Sequence, residues 1–389
     1  MAYKLSDVGL HNRVKLVQSG AAYFEQLQML IASARYVLHF QTYIFEFDET
    51  GQSVLQCLKE AANRGVKVYL MLDAYGSNSL TARWTDSLPD SGIQFRWFSA
   101  LWHTPQWYLG RRLHHKVVVA DGTWALVGGI NIGNRYNDMP GCPAWLDWAL
   151  YVEGETAARL HDISEELWSK NYFPAKSATD LKTMPRYLPV QQCRVKVSRN
   201  DWVRRHMDVA AGYFSMLRRA KDEVIMVSSY FLPGSTFRKA MRKAVKRGVK
   251  MQVIVAGKSD VGIAKYAERH LYRSFLRWGI RLYEYKLHVV HAKLSVCDGQ
   301  WVTVGSFNIN DLSTFASIEL NLEVTDPGFA TEVSLLLHQI IFRHCDEVTW
   351  EASAKYNAWY RRLIQALAYR LLRLSLFVFT FYYKQQRQT

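Results

Sequence analysis

"HHKVVVADGTWALVGGIN", residues 114–131, and "HAKLSVCDGQWVTVGSFN", residues 291–308, align without a gap. His114 stands opposite His291, Lys116 opposite Lys293, Asp121 opposite Asp298, Gly128 opposite Gly305 and Asn131 opposite Asn308. The likeness continues upstream. "ARYVLHFQTYIFEFDETGQSVLQCLKEAANRGVKVYLMLD" (34–73) and "KDEVIMVSSYFLPGSTFRKAMRKAVKRGVKMQVIVAGKSD" (221–260) share one order: apolar strand, loop, amphipathic helix, then RGVK opening a second strand. Similarity at a fixed spacing marks a repeated structural unit, so the chain reads as a duplication. Continuous apolar runs such as "VKVYLMLD" and "VKMQVIV", separated by helices, predict strands buried on both faces of an α/β sheet. The polar, proline-punctuated "NYFPAKSATDLKTMPRYLPVQQ" (171–192) predicts the joint. The expected organisation is a first repeat over 1–185, a second over 186–350 and an amphipathic tail over 351–389.

Each HxK is read as part of a strand, where side chains at i and i+2 share a face, so histidine and lysine lie together while His115 or Ala292 points away. An imidazole beside an ammonium suits an anion. The Asp-Gly pairs at 121–122 and 298–299 predict tight turns, because both residues tolerate positive φ. The return strands would then bring Asn131 and Asn308 back beside the His-Lys pairs. The glycines just before them permit close backbone approach to a ligand.

Each half thus supplies an imidazole, a fixed positive charge and an amide donor. Together they form the inventory for displacement at a phosphodiester. One histidine attacks, the other protonates the leaving oxygen, and lysine and asparagine hold the non-bridging oxygens. In-line displacement needs nucleophile and acid on opposite sides of phosphorus, which a pseudo-twofold pair of motifs offers. No metal or cofactor is required, since two lysines supply the positive charge. Asp121 and Asp298 have the wrong parity to share the histidine's face, so orientation or turn formation is their expected task. Asp147 and Glu319 lie at comparable points after each motif, on the alternating strands "LDWALYVEG" and "IELNLEV". Holding a histidine tautomer and being an ordinary surface acid are both open to them.

The 389 residues, 49% hydrophobic, are enough to fill a substantial core and exclude a disordered chain. Forty-nine Lys+Arg against 34 Asp+Glu give +15, which favours an anionic partner, nucleic acid or an anionic membrane surface. The five cysteines are scattered, without a metal-ligand spacing, and read as reduced thiols of a cytoplasmic compartment. The N-terminus lacks the apolar core and cleavage pattern of a secretory signal. At the other end, arginines at 361, 362, 370 and 373 punctuate an apolar stretch that is uninterrupted only from Leu374 to Tyr383, too short to span a bilayer as a helix.

Two HxKxxxxD motifs, each followed by Gly-Gly or Gly-Ser and an asparagine, resemble the phospholipase D superfamily over about Val14 to Asp326. The wording of 114–131 and the continuation "GSFNINDLSTFASIELNLEV" (305–324) are similar to the shorter bacterial cardiolipin synthases. That resemblance implies two pseudo-symmetric α/β/α sandwich repeats sharing one active site at their interface. It also implies phosphatidyl transfer between two phosphatidylglycerol molecules through a phosphohistidine, giving cardiolipin and glycerol. His114 would then be the nucleophile and His291 the general acid and base, although the near-symmetric sequence equally accommodates the reverse. Lys116, Lys293, Asn131 and Asn308 would hold the phosphate. Gly129 stands where the second motif has Ser306, so any hydroxyl contact from that position is one-sided.

The superfamily also contains hydrolases and nucleases, and motif chemistry alone does not choose the substrate. "FRKAMRKAVKRG" (237–248) and the stripe Lys265, Arg269, Arg273 and Arg277 suit either DNA phosphates or lipid headgroups. Trp97, Phe98, Trp102, Trp107 and Tyr108, flanked by arginines, favour a membrane interface. The C-terminal stretch offers arginines to phosphates and Leu and Phe to the acyl boundary. The expectation is a peripheral enzyme on the cytoplasmic side of a bacterial inner membrane. Its partners are phosphatidylglycerol and anionic lipids, nucleic acid is not obligatory, and an aromatic, basic surface would suit pairing of two copies.

Overall fold

The computed structural model describes residues 7–98, 112–170, 189–310, 313–314, 317–351 and 359–385. The chain divides into two compact units, residues 1–198 with 304–306 and 320–324, and the remainder. Most of the proline-punctuated joint, and Trp102, Trp107 and Tyr108, lie outside the described residues.

The first unit is built on β1 (Asn12–Gln18), α1 (Ala21–Ser33), β2 (Val37–Thr42), α2 (Glu49–Asn63), β3 (Lys67–Asp73), β4 (Ile93–Phe98), β5 (Lys116–Ala120), β6 (Trp124–Gly128), β7 (Trp148–Gly154) and α3 (Glu155–Lys170). Its strands form one mixed sheet in the order β1-β7-β6-β5-β2-β3-β4. The segment β2-β3-β4 is parallel, and β5 runs antiparallel on the other side of β2 with Leu38 opposite Ala120. Alternation divides the side chains between two faces. Leu38, Phe40, Val118 and Ala120 join a core with Leu27 and Ile31 of α1 and Val54 and Leu58 of α2. The opposite parity, including His39, faces α3, whose His161 ring lies edge-on at 4.9 Å. Asp48 begins α2 by accepting the Gly51 N–H at 3.0 Å.

The second unit repeats this wiring. It contains α4 (Asp208–Arg219), β8 (Glu223–Ser228), α5 (Ser235–Lys246), β9 (Lys250–Ala256), α6 (Gly262–Arg277), β10 (Arg281–Tyr285), β11 (Lys293–Cys297), α7 (Pro327–His344) and α8 (Trp359–Gln385). Strands β8, β9 and β10 are parallel, and β11 runs antiparallel beside β8 with Val224 opposite Cys297. Val224, Met226, Met251 and Val253 pack with Tyr213 of α4, Met241 of α5 and Phe275 of α6.

The repeated RGVK has one explanation in both units. The Arg64 guanidinium donates to the carbonyls of Ile31 and Ala32 at the end of α1, at 3.0 and 3.2 Å. Arg247 donates to Leu217 and Ala220 at the end of α4, at 2.7 and 3.1 Å. Each arginine thereby satisfies carbonyls left open where a helix stops. The next residue turns the chain with φ of 89° at Gly65 and 98° at Gly248, a conformation costly for other residues.

Several sequence expectations change in the fold. The strands after each motif, Trp148–Gly154 and Ser317–Thr325, are buried along nearly their whole length instead of alternating, because both sheet faces are covered. Trp97 and Phe98 belong to β4; Phe98 is buried in the interior, and Trp97 is half-buried with one side packed on the core, so Phe98 offers no membrane surface. The stripe on α6 is mostly engaged with protein. Lys265 is buried against Glu268 and Glu284 at 2.7 and 2.9 Å, Arg269 reaches Glu284 at 3.4 Å, and Arg273 lies 5.4 Å from the Trp350 ring. On α5, by contrast, Lys239, Arg242, Lys243 and Lys246 are exposed. All five cysteines are free thiols.

Candidate active site

Both HxK motifs sit where a chain enters a strand at the centre of a sheet. The ladder begins at the lysine, since β5 starts at Lys116 and β11 at Lys293, so the histidines precede the strands instead of belonging to them. Part of the reason lies at Leu113, whose N–H donates to Asp73 Oδ2 at 2.8 Å. Asp73 is fully buried and also accepts the N–H groups of Tyr75 and Gly76 at 3.0 and 2.9 Å. Burial raises its carboxyl pKa, although these donors and Arg112 work against the rise.

In the first unit the Lys116 ammonium donates to the His114 carbonyl at 2.6 Å, and its Nζ stands 5.3 Å from the centre of the Tyr43 ring. That ring meets the His114 imidazole with centroids 5.0 Å apart. Lys116 is only 4% exposed, so its charge is held close to the imidazole's backbone by a ring face and a carbonyl. His115 points the other way, as i+1 parity requires, with Nε2 2.9 Å from Gln41 Oε1. In the second unit Lys293 Nζ lies 2.9 Å from His291 Nδ1 and also reaches the His291 carbonyl. His291 and Lys293 are 8% and 2% exposed, so cation and imidazole share a low-dielectric setting that strengthens their electrostatic interactions.

The aspartates have a backbone task. Asp121 accepts the N–H groups of Arg35, Tyr36 and Val37 at 2.8–2.9 Å, and Asp298 those of Lys221, Asp222 and Glu223 at 2.9 Å. They stand in left-handed turns, with φ of 53° and 51° followed by Gly122 at 61° and Gly299 at 57°. Thr123 N–H closes one turn on the Ala120 carbonyl and Gln300 N–H the other on Cys297, both at 3.0 Å. Each motif hairpin is thus tied to the start of the strand next to it. Burial would raise the Asp298 carboxyl, but its three amide donors outweigh that and hold it below the usual range.

The asparagines are likewise seated by protein. Asn131 Oδ1 accepts Ile44 N–H at 3.1 Å, and its Nδ2 donates to Tyr136 Oη at 2.9 Å. Asn308 Oδ1 accepts the Ser229 hydroxyl at 2.6 Å. The expected approach of the glycines to a ligand is corrected. A Cβ on Gly128 would stand 2.5 Å from the Trp148 carbonyl, and one on Gly305 2.3 Å from that of Leu320, so both make room for the adjacent strand. Gly129 lies against the Asp147 carboxylate, where a Cβ would come within 2.4 Å of Oδ2, and Ser306 Oγ accepts Leu320 N–H at 3.1 Å. Asp147 and Glu319 are both fully buried instead of being surface acids, and Asp147 Oδ1 accepts the N–H of Trp148 at 2.8 Å.

Sequence reasoning missed Tyr43, Asp73, Tyr136 and Ser229. The ladder register relates two of them: Leu38 opposite Ala120 and Val224 opposite Cys297 make Tyr43 and Ser229 corresponding residues, each just past its strand end, a correspondence the linear sequence does not carry. A cavity of about 400 Å³ in the second unit, lined by Phe214, Phe237, Phe307, Ile309, Asn310 and Arg373, opens close in sequence to Asn308. Ser235, Thr236 and Thr314 also line its wall, so aromatic and polar groups share it with one cationic residue.

Two α/β units, each presenting His and Lys from an Asp-anchored hairpin, define a phospholipase D-type enzyme of phosphodiester chemistry. The family described as "Cardiolipin synthase, PLD-like domain" matches residues 27–141 and 213–341, and the chain belongs to it. Cardiolipin synthase B of Salmonella typhi is 32% identical over 377 residues, covering 93% of this chain and 88% of that protein. Cardiolipin synthase A of Pseudomonas aeruginosa is 31% identical over 334 residues, covering 84% of this chain and 66% of that one. Among solved structures, phosphatidylserine synthase from Haemophilus influenzae Rd KW20 is similar in fold, with a TM-score of 0.70, 14% identity and coverage of 94% and 96%.

Proposed function

We propose that the protein is a cardiolipin synthase that transfers a phosphatidyl group from one phosphatidylglycerol to another. One motif histidine attacks the phosphorus of the donor; a phosphorus–nitrogen bond forms, the bond to the glycerol oxygen breaks, and the other histidine gives that oxygen its proton. The second phosphatidylglycerol then attacks with its terminal hydroxyl, the acid now acting as base, and cardiolipin leaves as the histidine is regenerated. Lys116 and Lys293 balance the charge on the non-bridging oxygens. His114 is assigned as nucleophile and His291 as acid. Asn131 and Asn308 orient around the phosphate, and Asp121 and Asp298 hold the hairpins. The observation that carries this reading is the pairing, in each unit, of a motif histidine with a buried lysine on an Asp-anchored turn.

Peripheral membrane association belongs to the same reading. Among the described residues no helix is long and apolar enough to cross a membrane. Helix α8 rests on α6 through its Tyr369 side, where that ring stacks on His270 at 4.9 Å, while Leu363, Leu367, Leu371 and Leu374 are exposed among arginines. A leucine face turned outward with cations beside it suits the interface of an anionic bilayer. The exposed cations of α5 add to that attraction.

The test incubates purified protein with phosphatidylglycerol vesicles without added metal and resolves lipids by mass spectrometry beside His114→Ala and His291→Ala. Cardiolipin with glycerol release from the parent, and neither from the variants, is the expected result. Phosphatidic acid in place of cardiolipin would make the protein a hydrolase. Unchanged lipid alongside cleaved DNA would make it a nuclease.

A further inference from the structure

Behind the first motif, on the face of the sheet covered by α3, two histidines and a glutamate converge. His39 lies in the middle of β2, while His161 and Glu165 are four residues apart on α3 and so share one helical face. One ligand atom from each lies within 4.8 Å of the other two. His39 Nε2 stands 3.2 Å from Glu165 Oε2. Nδ1 of His39 and Nδ1 of His161 have no hydrogen-bond partner, although the two residues are 0% and 2% exposed, and His39 Nε2 faces the Glu165 carboxylate without a well-formed hydrogen bond. Buried polar atoms are normally satisfied, so open imidazole nitrogens pointing into a shared space call for a ligand.

We propose that His39, His161 and Glu165 form a site for a divalent transition metal ion of the zinc class, clamping α3 to the centre of the first sheet. Ligand atoms about 2.0–2.2 Å from a tetrahedral zinc lie about 3.3–3.5 Å apart, close to the His39–Glu165 separation, and small side-chain rotations bring in the third. Two imidazoles and one carboxylate disfavour magnesium and calcium, which take oxygen ligands. The surroundings hold the donors in place. The His39 ring stacks on Tyr69 with centroids 4.9 Å apart and 16° between planes, and Glu165 Oε1 accepts the Ser169 hydroxyl at 3.1 Å. Glu165 is 16% exposed, which leaves a route for the ion and for a water as fourth ligand.

The site is separate from the phosphate chemistry. Strand β2 carries His39 and pairs Gln41 with Val117, the residue after Lys116, and Gln41 Nε2 donates to the Ser164 carbonyl of α3 at 2.9 Å, so the clamp braces the strand beside the first motif while its three ligands are none of the motif residues.

The test uses untagged full-length protein, stripped with chelator and titrated with Zn²⁺ alone by calorimetry, with Co²⁺ absorption as a second readout. The parent should bind one equivalent per chain, show a cobalt–imidazole spectrum and melt at a higher temperature with zinc. His161→Gln and Glu165→Gln should each weaken binding at least tenfold and lose the melting shift. Should His161→Gln fail to fold, the partly exposed Glu165→Gln carries the comparison. No binding by the parent, or equal binding by parent and Glu165→Gln, overturns the site. Either result leaves the lipid assay, run without added metal, to stand or fall separately.

Discussion

The Asp298 carboxylate accepts the Glu223 backbone N–H at 2.9 Å, across 75 residues of chain. With Lys221 and Asp222 as further donors, this one side chain fixes where β8 begins against the hairpin of the second motif. Asp298→Asn should therefore cost about 1.5–3 kcal/mol of stability, the scale of hydrogen bonds to a charged group. Urea denaturation measures it, and the loss of catalysis should be far smaller than for His291→Ala.

The same carboxylate gives a pH dependence. Burial acts to raise the Asp298 pKa, but the amide donors prevail and it lies below its unfolded value. Its stabilisation is thus complete above the ordinary aspartate range and is lost as pH falls through the lower folded value. The stability gap between parent and Asp298→Asn should close on acidification below about pH 4, the ordinary aspartate value, and remain constant from pH 6 to 8. A gap unchanged at low pH would contradict this.

Lys265 neutralises a buried acidic pair, so Lys265→Met should destabilise the second unit by about 3–5 kcal/mol, the cost of leaving a buried charge unpaired. Tyr272 Oη, 2.6 Å from Lys265 Nζ, also loses its cation. Adding Glu268→Gln and Glu284→Gln should recover much of the loss in thermal melts. A basic stripe serving lipid binding would instead lose vesicle affinity with little change in stability.

Gly129→Ser copies the second motif into the first, yet its Cβ would come within 2.4 Å of Asp147 Oδ2. The substitution should lower stability by about 1–3 kcal/mol, as overpacking does, without raising activity. Gly305→Ala should do the same against the Leu320 carbonyl. Differential scanning calorimetry with a lipid assay separates the two readouts.

Lys116→Met and Lys293→Met should each reduce cardiolipin formation about a hundredfold or more, the range for loss of one charge-stabilising group. Vesicle binding should change little, because both lysines are buried. Co-sedimentation checks that half. It should instead fall with Leu363→Ser, Leu367→Ser and Leu371→Ser combined.

What the sequence determined by itself was whatever local chemistry and repetition decide. The doubled HxK, the Asp-Gly turns and the apolar runs after RGVK announce two α/β repeats, because φ preference and side-chain alternation act within a few residues. Asp121 and Asp298 could be assigned to a turn by parity alone, but the strand starts they grasp lie some 75 to 86 residues away. The glycines before Asn131 and Asn308 looked like ligand contacts, and only the neighbouring strand showed what approaches them. Lys265 read as a cation offered to phosphates until α6 met β10, and the approach of His39 on β2 to His161 and Glu165 exists only because α3 crosses that strand. These relationships depend on register and on which face of a helix meets which face of a sheet. Such pairings are fixed by packing over long separations, and a linear pattern does not contain them.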